Sequence, residues 1–238
     1  MKSLIACTMG VLVLAFPALA VELTGGSLGF SYSASTDDTD HTRLSFDGSA
    51  VIELGTSVDA QFDIGSDHFG EADLASQALG FHGVYQMSDT SRVGVFYTAE
   101  DVDSNGREID VDLYGVELGQ AFGKTDLVGY IGRADAGNAD GAMLGLAGRF
   151  EMRNGIGLGG SFDYVDVKGF EAGKLALRLD SDVSDNLNLY VEIGSAKARA
   201  FGVADSEPYV GLGGKFVFGA DRGALFDRRG LSRILPGL

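Results

Sequence analysis

The sequence predicts an all-β protein, a closed antiparallel transmembrane β-barrel of about 12 strands with short turns at one end and longer acidic loops at the other. Three observations carry that prediction. Apolar side chains recur at every second position after Val21, with polar ones between them, and successive side chains of a strand point to opposite faces. Thirty-six glycines stand against 3 prolines, the balance of a turn-rich β chain. No stretch after Val21 reaches the roughly 18 consecutive apolar residues that a membrane-crossing helix needs, so any crossing must be made by strands.

Residues 1–20 have a different character. Lys2, the apolar run Val11 to Phe16 and the small residues Ala18-Leu19-Ala20 read as a cleaved secretory signal. The chain therefore divides into a signal (1–20), a barrel (21–218) and a C-terminal tail (219–238) placed in the periplasm. The one cysteine, Cys7, leaves with the signal, so disulfides, thiolate metal sites and a thiol nucleophile are all excluded from the mature chain. A formal charge of −16 excludes nucleic acid as a partner, because the whole-molecule field repels phosphate.

The strands follow in order. Leu28, Phe30, Tyr32 and Ala34 share one face of the first, and Leu44, Phe46, Gly48, Ala50 and Ile52 one face of the second. A tight turn near Gly55 leads to Val58, Ala60, Phe62 and Ile64, and then Leu79, Phe81, Gly83 and Tyr85. Val93, Val95 and Tyr97 precede Tyr114, Val116 and Leu118; the span Asp126 to Arg133 is the least clearly phased. Leu144, Leu146, Gly148 and Phe150 descend to Arg153-Asn154-Gly155, where Asn-Gly supplies the positive φ of a two-residue hairpin turn. Ile156 to Tyr164, Leu175 to Leu179, Leu187 to Ile193 and Val210 to Phe218 complete the series.

Connections alternate in kind. Short turns near Gly55, Asp89, Gly123, Asn154 and Asp185 alternate with acidic segments at Asp37 to His41, Ser66 to Asp73, Glu100 to Glu108, Asp135 to Asp140, Asp166 to Glu171 and Lys197 to Glu207. Short periplasmic turns and longer extracellular loops are the asymmetry of outer-membrane barrels. That orientation places Tyr32, Tyr97, Tyr164 and Tyr209 near the outer rim and Tyr85, Phe150, Phe216 and Phe218 near the inner one, as two aromatic girdles. A soluble sandwich would also alternate, but the export signal, the loop asymmetry and the paired charges opposite the apolar face favour the barrel, the one sheet that leaves no edge unpaired in lipid.

The last strand, Tyr209-Val-Gly-Leu-Gly-Gly-Lys-Phe-Val-Phe218, alternates apolar residues and ends on phenylalanine. It resembles the C-terminal signal that outer-membrane barrels present to their insertion machinery. Taken from Val21 to Phe218, the chain is similar to a small member of the proteobacterial porin group, in the alphaproteobacterial style. General porins have about sixteen strands, and this chain continues past Phe218, so trimer formation and a pore-folded loop do not carry over.

The opposite phase gives the candidate pore-lining residues: Arg43, Asp47, Asp59, Asp63, Arg92, Glu117, Arg149, Asp163, Lys174, Arg178, Glu192 and Lys215, with Glu53, Arg133 and Asp180 on the same face. Facing charges of both signs suit a wet pore with a transverse field, or ion pairs that seal the barrel. Many inward positions are glycine, which favours a narrow water-filled pore. The expected function is an outer-membrane porin-like channel for passive diffusion of small hydrophilic solutes, cation-preferring because of its acidic loops. The alternative is a non-conducting barrel for adhesion or envelope integrity. Expected partners are outer-membrane lipid and lipopolysaccharide, small hydrophilic solutes and the barrel insertion machinery.

No enzyme, cofactor or metal is expected. The mature chain has no Gly-x-Ser-x-Gly elbow, and the calcium-like run Asp101 to Gly106 lacks its closing glutamate. Alternation stops in the tail, which carries Arg222, Arg228, Arg229 and Arg233 beside Leu225, Phe226, Leu231 and Ile234. That composition allows a gate folded back on the periplasmic mouth, a docking segment for a periplasmic partner, or a loosely packed terminus.

Overall fold

The computed structural model describes residues 22–38, 40–70, 74–104, 106–137, 139–152, 155–200, 203–219 and 223–235. The signal, 1–20, lies outside the described residues, as do Arg153 and Asn154 of the expected hairpin turn.

Twelve strands form the wall: β1 (Glu22–Ser35), β2 (Thr42–Gly55), β3 (Val58–Phe69), β4 (Leu74–Ser88), β5 (Ser91–Ser104), β6 (Arg107–Phe122), β7 (Thr125–Ala136), β8 (Ala139–Glu151), β9 (Ile156–Val167), β10 (Phe170–Ser184), β11 (Leu187–Ala200) and β12 (Val203–Gly219). Each pairs antiparallel with its sequence neighbours, and β1 pairs with β12 from Gly25↔Gly219 to Ser35↔Tyr209, which closes the barrel. Closure satisfies the backbone groups that an open edge would expose to lipid.

The two-residue period decides what faces out. On β4, Leu79, Phe81 and Tyr85 lie on the exterior while Ala78, His82 and Val84 are buried inside. The same split runs round the barrel, leaving Leu79 66 % and Ile131 64 % exposed among some forty large apolar side chains. A continuous belt of this size is far beyond the apolar patch that a soluble monomer shows to water, and it requires a lipid surround. Tyrosines mark its upper border: the Tyr97 and Tyr114 hydroxyls donate to Asp112 (2.5 Å) and Asp135 (3.2 Å).

Four expectations are revised. The acidic segments read as loops are mostly strand: β5 and β6 run to Ser104 and from Arg107, and their connection turns at Gly106, with φ +77°. The alternation persists through Val102, Ile109 and Val111, so ladder bonds can continue above the belt, and the acidic end projects as paired strand. Arg133 points outward, 56 % exposed and paired with Asp140, because Tyr130 and Ala134 hold the inward phase of β7. Tyr209 is buried inside rather than standing in a lipid girdle, since it lies one residue out of phase with Val210 and Leu212. The tail, placed in the periplasm by the sequence reading, has its described part, 223–235, within the barrel, where Phe226 and Ile234 are almost wholly buried.

Candidate functional site

The interior is divided lengthwise between the tail and an open cavity. All twelve sequence-predicted lining residues lie on inward-phase positions, and the tail determines which of them face open space.

One half of the wall, β2 to β6, is covered. β12 delivers the chain to the turn end at Gly219, and the segment beyond it climbs toward the acidic end. Gln61 grips its backbone twice: the amides of Leu225 and Phe226 donate to Gln61 Oε1 (2.6 and 3.1 Å), and Gln61 Nε2 donates to the Phe226 carbonyl (2.7 Å). The Phe226 ring stacks on His82 at 6.1 Å with the planes 14° apart, and the Arg92 guanidinium lies 4.9 Å from its centre. Higher up, Arg228 donates to Asp47 (2.8 Å) and Asp67 (2.9 Å), and Arg229 to Glu117 (2.8 Å). Glu100 accepts from the amides of Leu231 (2.5 Å) and Ser232 (3.0 Å), and the Ser232 hydroxyl donates to Asp67 (2.7 Å). Lys174 Nζ donates to the Arg233 carbonyl at 2.9 Å.

Behind these contacts the wall is charged and layered. His82 lies between Asp63 (2.8 Å from Nε2) and Glu117 (2.5 Å from Nδ1), all three fully enclosed. Asp67 also receives the Arg43 guanidinium (2.7 Å) and the Ser45 hydroxyl. Buried carboxylates of this kind need a cation or several donors, since an unpaired charge is costly to desolvate. Glu100 is satisfied by the tail's amides, while Asp67 and Glu117 are shared between wall partners, Arg43, Ser45 and His82, and the tail's arginines and hydroxyl.

At the acidic end the interior becomes apolar. Leu113, Ala134, Met143, Val165, Val167 and Ala172 project inward there, and Ile234 and Leu235 pack among them. The polar lumen expected from alternation thus holds only over the lower part.

The other half, mainly β7 to β12, borders a cavity of about 500 Å³. Of the predicted lining residues, Asp47, Arg92, Arg149, Asp163, Lys174, Arg178, Glu192 and Lys215 border it. Their charges pair along the wall: Arg149 with Asp180 (2.6 Å), Arg178 with Glu192 (2.7 Å) and Lys215 with Asp227 of the tail (3.2 Å). Arg178 also covers Tyr190 at 3.9 Å. Asp63 and Glu117 lie instead behind the tail, Arg43 borders a second, smaller cavity with Lys174, Arg178 and Glu192, and Asp59 sits toward the turn end, accepting from Gln86 Nε2 at 2.9 Å.

Inward glycines leave less free volume than their number suggests. A Cβ at Gly145 would lie 2.2 Å from the Tyr130 ring, and at Gly213 2.5 Å from Tyr190. Tyrosines from adjacent strands lie over these glycines, a packing device of β-sheets. Sequence reading did not single out Gln61, Asp67 and Glu100. Gln61 and Asp67 share the parity of Asp63, a usable signal, but Asp67 and Glu100 fell in segments read as loops.

No family model and no curated protein matches this chain. Its fold is similar to solved outer-membrane porins and channels. A KdgM porin in complex with disordered oligogalacturonate matches with a TM-score of 0.61 at 9 % identity, covering 81 % of this chain and 99 % of that one. The NanC porin matches with 0.58 at 10 % identity, covering 80 % and 98 %. An outer-membrane channel from Pseudomonas putida F1 matches with 0.56 at 14 % identity, covering 84 % and 97 %. The chain therefore has the closed antiparallel barrel fold of bacterial outer-membrane porins.

Proposed function

We propose that this protein is a porin-like channel of the bacterial outer membrane, through which small hydrophilic solutes diffuse passively and without a chemical step. The observation that carries the reading is the charged cavity of about 500 Å³ enclosed by a barrel whose exterior is an apolar belt. Cationic and acidic side chains share its lining, so a polar solute exchanges water for fixed dipoles and charges at little cost. The last strand, Tyr209 to Phe218, supports delivery by the barrel insertion machinery and kinship with porins of the alphaproteobacterial style. The exposed acidic side chains above the tyrosines suit divalent ions bridging to lipopolysaccharide.

The decisive experiment is planar-bilayer recording of the refolded protein. Stepwise single-channel currents support the channel; silence from both the full chain and a form lacking the tail refutes it. The seated tail favours a second reading, a non-conducting barrel for adhesion or envelope integrity, which predicts that silence.

A further inference from the structure

We infer that the inner wall of β2 to β6 is a binding site for the protein's own segment 223–235, which acts as a displaceable plug whose departure opens the lumen and turns it cation-preferring. The inference rests on the channel reading above and adds its regulation.

The wall is shaped for this occupant. A Cβ at Gly65 would fall 2.2 Å from Arg228 Nε, and one at Gly94 would fall 3.2 Å from the Phe226 ring. Both glycines are inward positions; a branched side chain at Gly65 would take the place of the Arg228 guanidinium, and one at Gly94 would crowd Glu117 and the Phe226 ring together. Gln61 and Glu100 read main-chain groups of the segment, and Asp47, Asp67 and Glu117 read its guanidinium groups. Main-chain grip together with side-chain pockets is how proteins recognise peptides.

The attachment is also separable from the wall. The ladder is complete through β1 and β12 without the tail, whose described residues add no strand and contribute one 3-10 turn, Ser232–Ile234. Its polar contacts are charge pairs and hydrogen bonds rather than ladder bonds, and two of the wall carboxylates they engage keep partners of their own, Arg43 on Asp67 and His82 on Glu117. Its apolar end, Ile234 and Leu235, closes the interior where the wall itself narrows with Leu113, Met143 and Val165.

Charge gives the consequence. Seated, Arg228 pairs with Asp47 and Asp67, Arg229 with Glu117 and Arg233 with Asp47. Withdrawn, the tail takes Arg228, Arg229 and Arg233 with it and uncovers these carboxylates and Glu100 to the lumen. Arg43 stays on Asp67 and His82 on Glu117, and the opposite wall keeps Arg149 with Asp180 and Arg178 with Glu192; the segment 223–235 removes three arginines against one carboxylate, Asp227, so the opened lumen is two charges more negative than the plugged one.

The test compares three refolded proteins in planar bilayers: the full chain, Gly65→Val, and a chain ending at Gly219. Conductance should rise several-fold in both altered forms, with reversal potentials in a KCl gradient shifted toward K⁺. A synthetic peptide of residues 220–238 added to the shortened barrel should suppress its current saturably, and the peptide with R228E and R229E should not. Should Gly65→Val fail to refold, the full chain carrying R228E and R229E leaves the wall intact and takes its place. Equal conductance and equal reversal potential in all forms would overturn the plug while leaving the channel standing. Silence in all forms would overturn the channel, and the plug with it.

Discussion

Replacing Leu177 by arginine tests which way the barrel's apolar face looks. Leu177 is the midpoint of β10, paired with Gly160 and Ile193, and it stands 58 % exposed beside Leu175, Leu179 and Ile193 on the exterior. If that surface faces lipid, an arginine there lies near the bilayer midplane and costs about 2–4 kcal/mol. This corresponds to roughly a 30- to 800-fold loss in the folded-to-unfolded ratio. Leu54, 62 % exposed beside the Gly55 turn, supplies the control, since near the interface the same change costs about 0–1 kcal/mol. In water, by contrast, two exposed leucines replaced by arginine would each shift stability by no more than about 0.5 kcal/mol. Urea unfolding of the refolded proteins in phosphatidylcholine vesicles measures the difference from midpoint and slope. If L177R and L54R agree within about 0.5 kcal/mol, the exterior does not face lipid and the barrel is not a membrane barrel.

Three further outcomes follow from the interior. Gly29 borders the cavity and a Cβ there meets nothing closer than 3.8 Å, so Gly29→Trp should fold normally and lower single-channel conductance; an unchanged current would put the conducting path elsewhere. Gly145→Ala places a methyl 2.2 Å from the Tyr130 ring, and urea unfolding should show a loss of about 1–3 kcal/mol from overpacking, which an unchanged midpoint would contradict. Arg228→Ala removes one of the two guanidinium groups on the fully enclosed Asp67, leaving Arg43, and the lost hydrogen bond to a charged group costs about 1.5–3 kcal/mol. The tail should then be cut faster by trypsin at Arg229 and Arg233, as read by mass spectrometry, and an unaltered rate would mean that the segment is held by other contacts.

The barrel was legible in the sequence because its cause is local. Strand side chains alternate, so Leu79, Phe81 and Tyr85 declare one face and His82 the other without reference to any distant residue. The same logic assigned the inward phase to Arg149, Lys174, Arg178, Glu192 and Lys215, which border the cavity. It erred where phase was weakly marked, at Arg133, and where a strongly acidic composition disguised strand as loop, at Asp67 and Glu100.

What the residues determined on their own was a period, a count of strands and a division of each strand into greasy and polar sides. Which polar residues would face open space was settled only by the assembled tertiary structure. Arg228 lies 181 positions from Asp47 and Arg229 112 from Glu117, and no periodicity brings such pairs together. They meet because closure of the barrel gathers carboxylates from β2, β3, β5 and β6 onto one wall, where low dielectric makes an unpaired charge expensive. A cationic segment leaving β12 at the open end satisfies them.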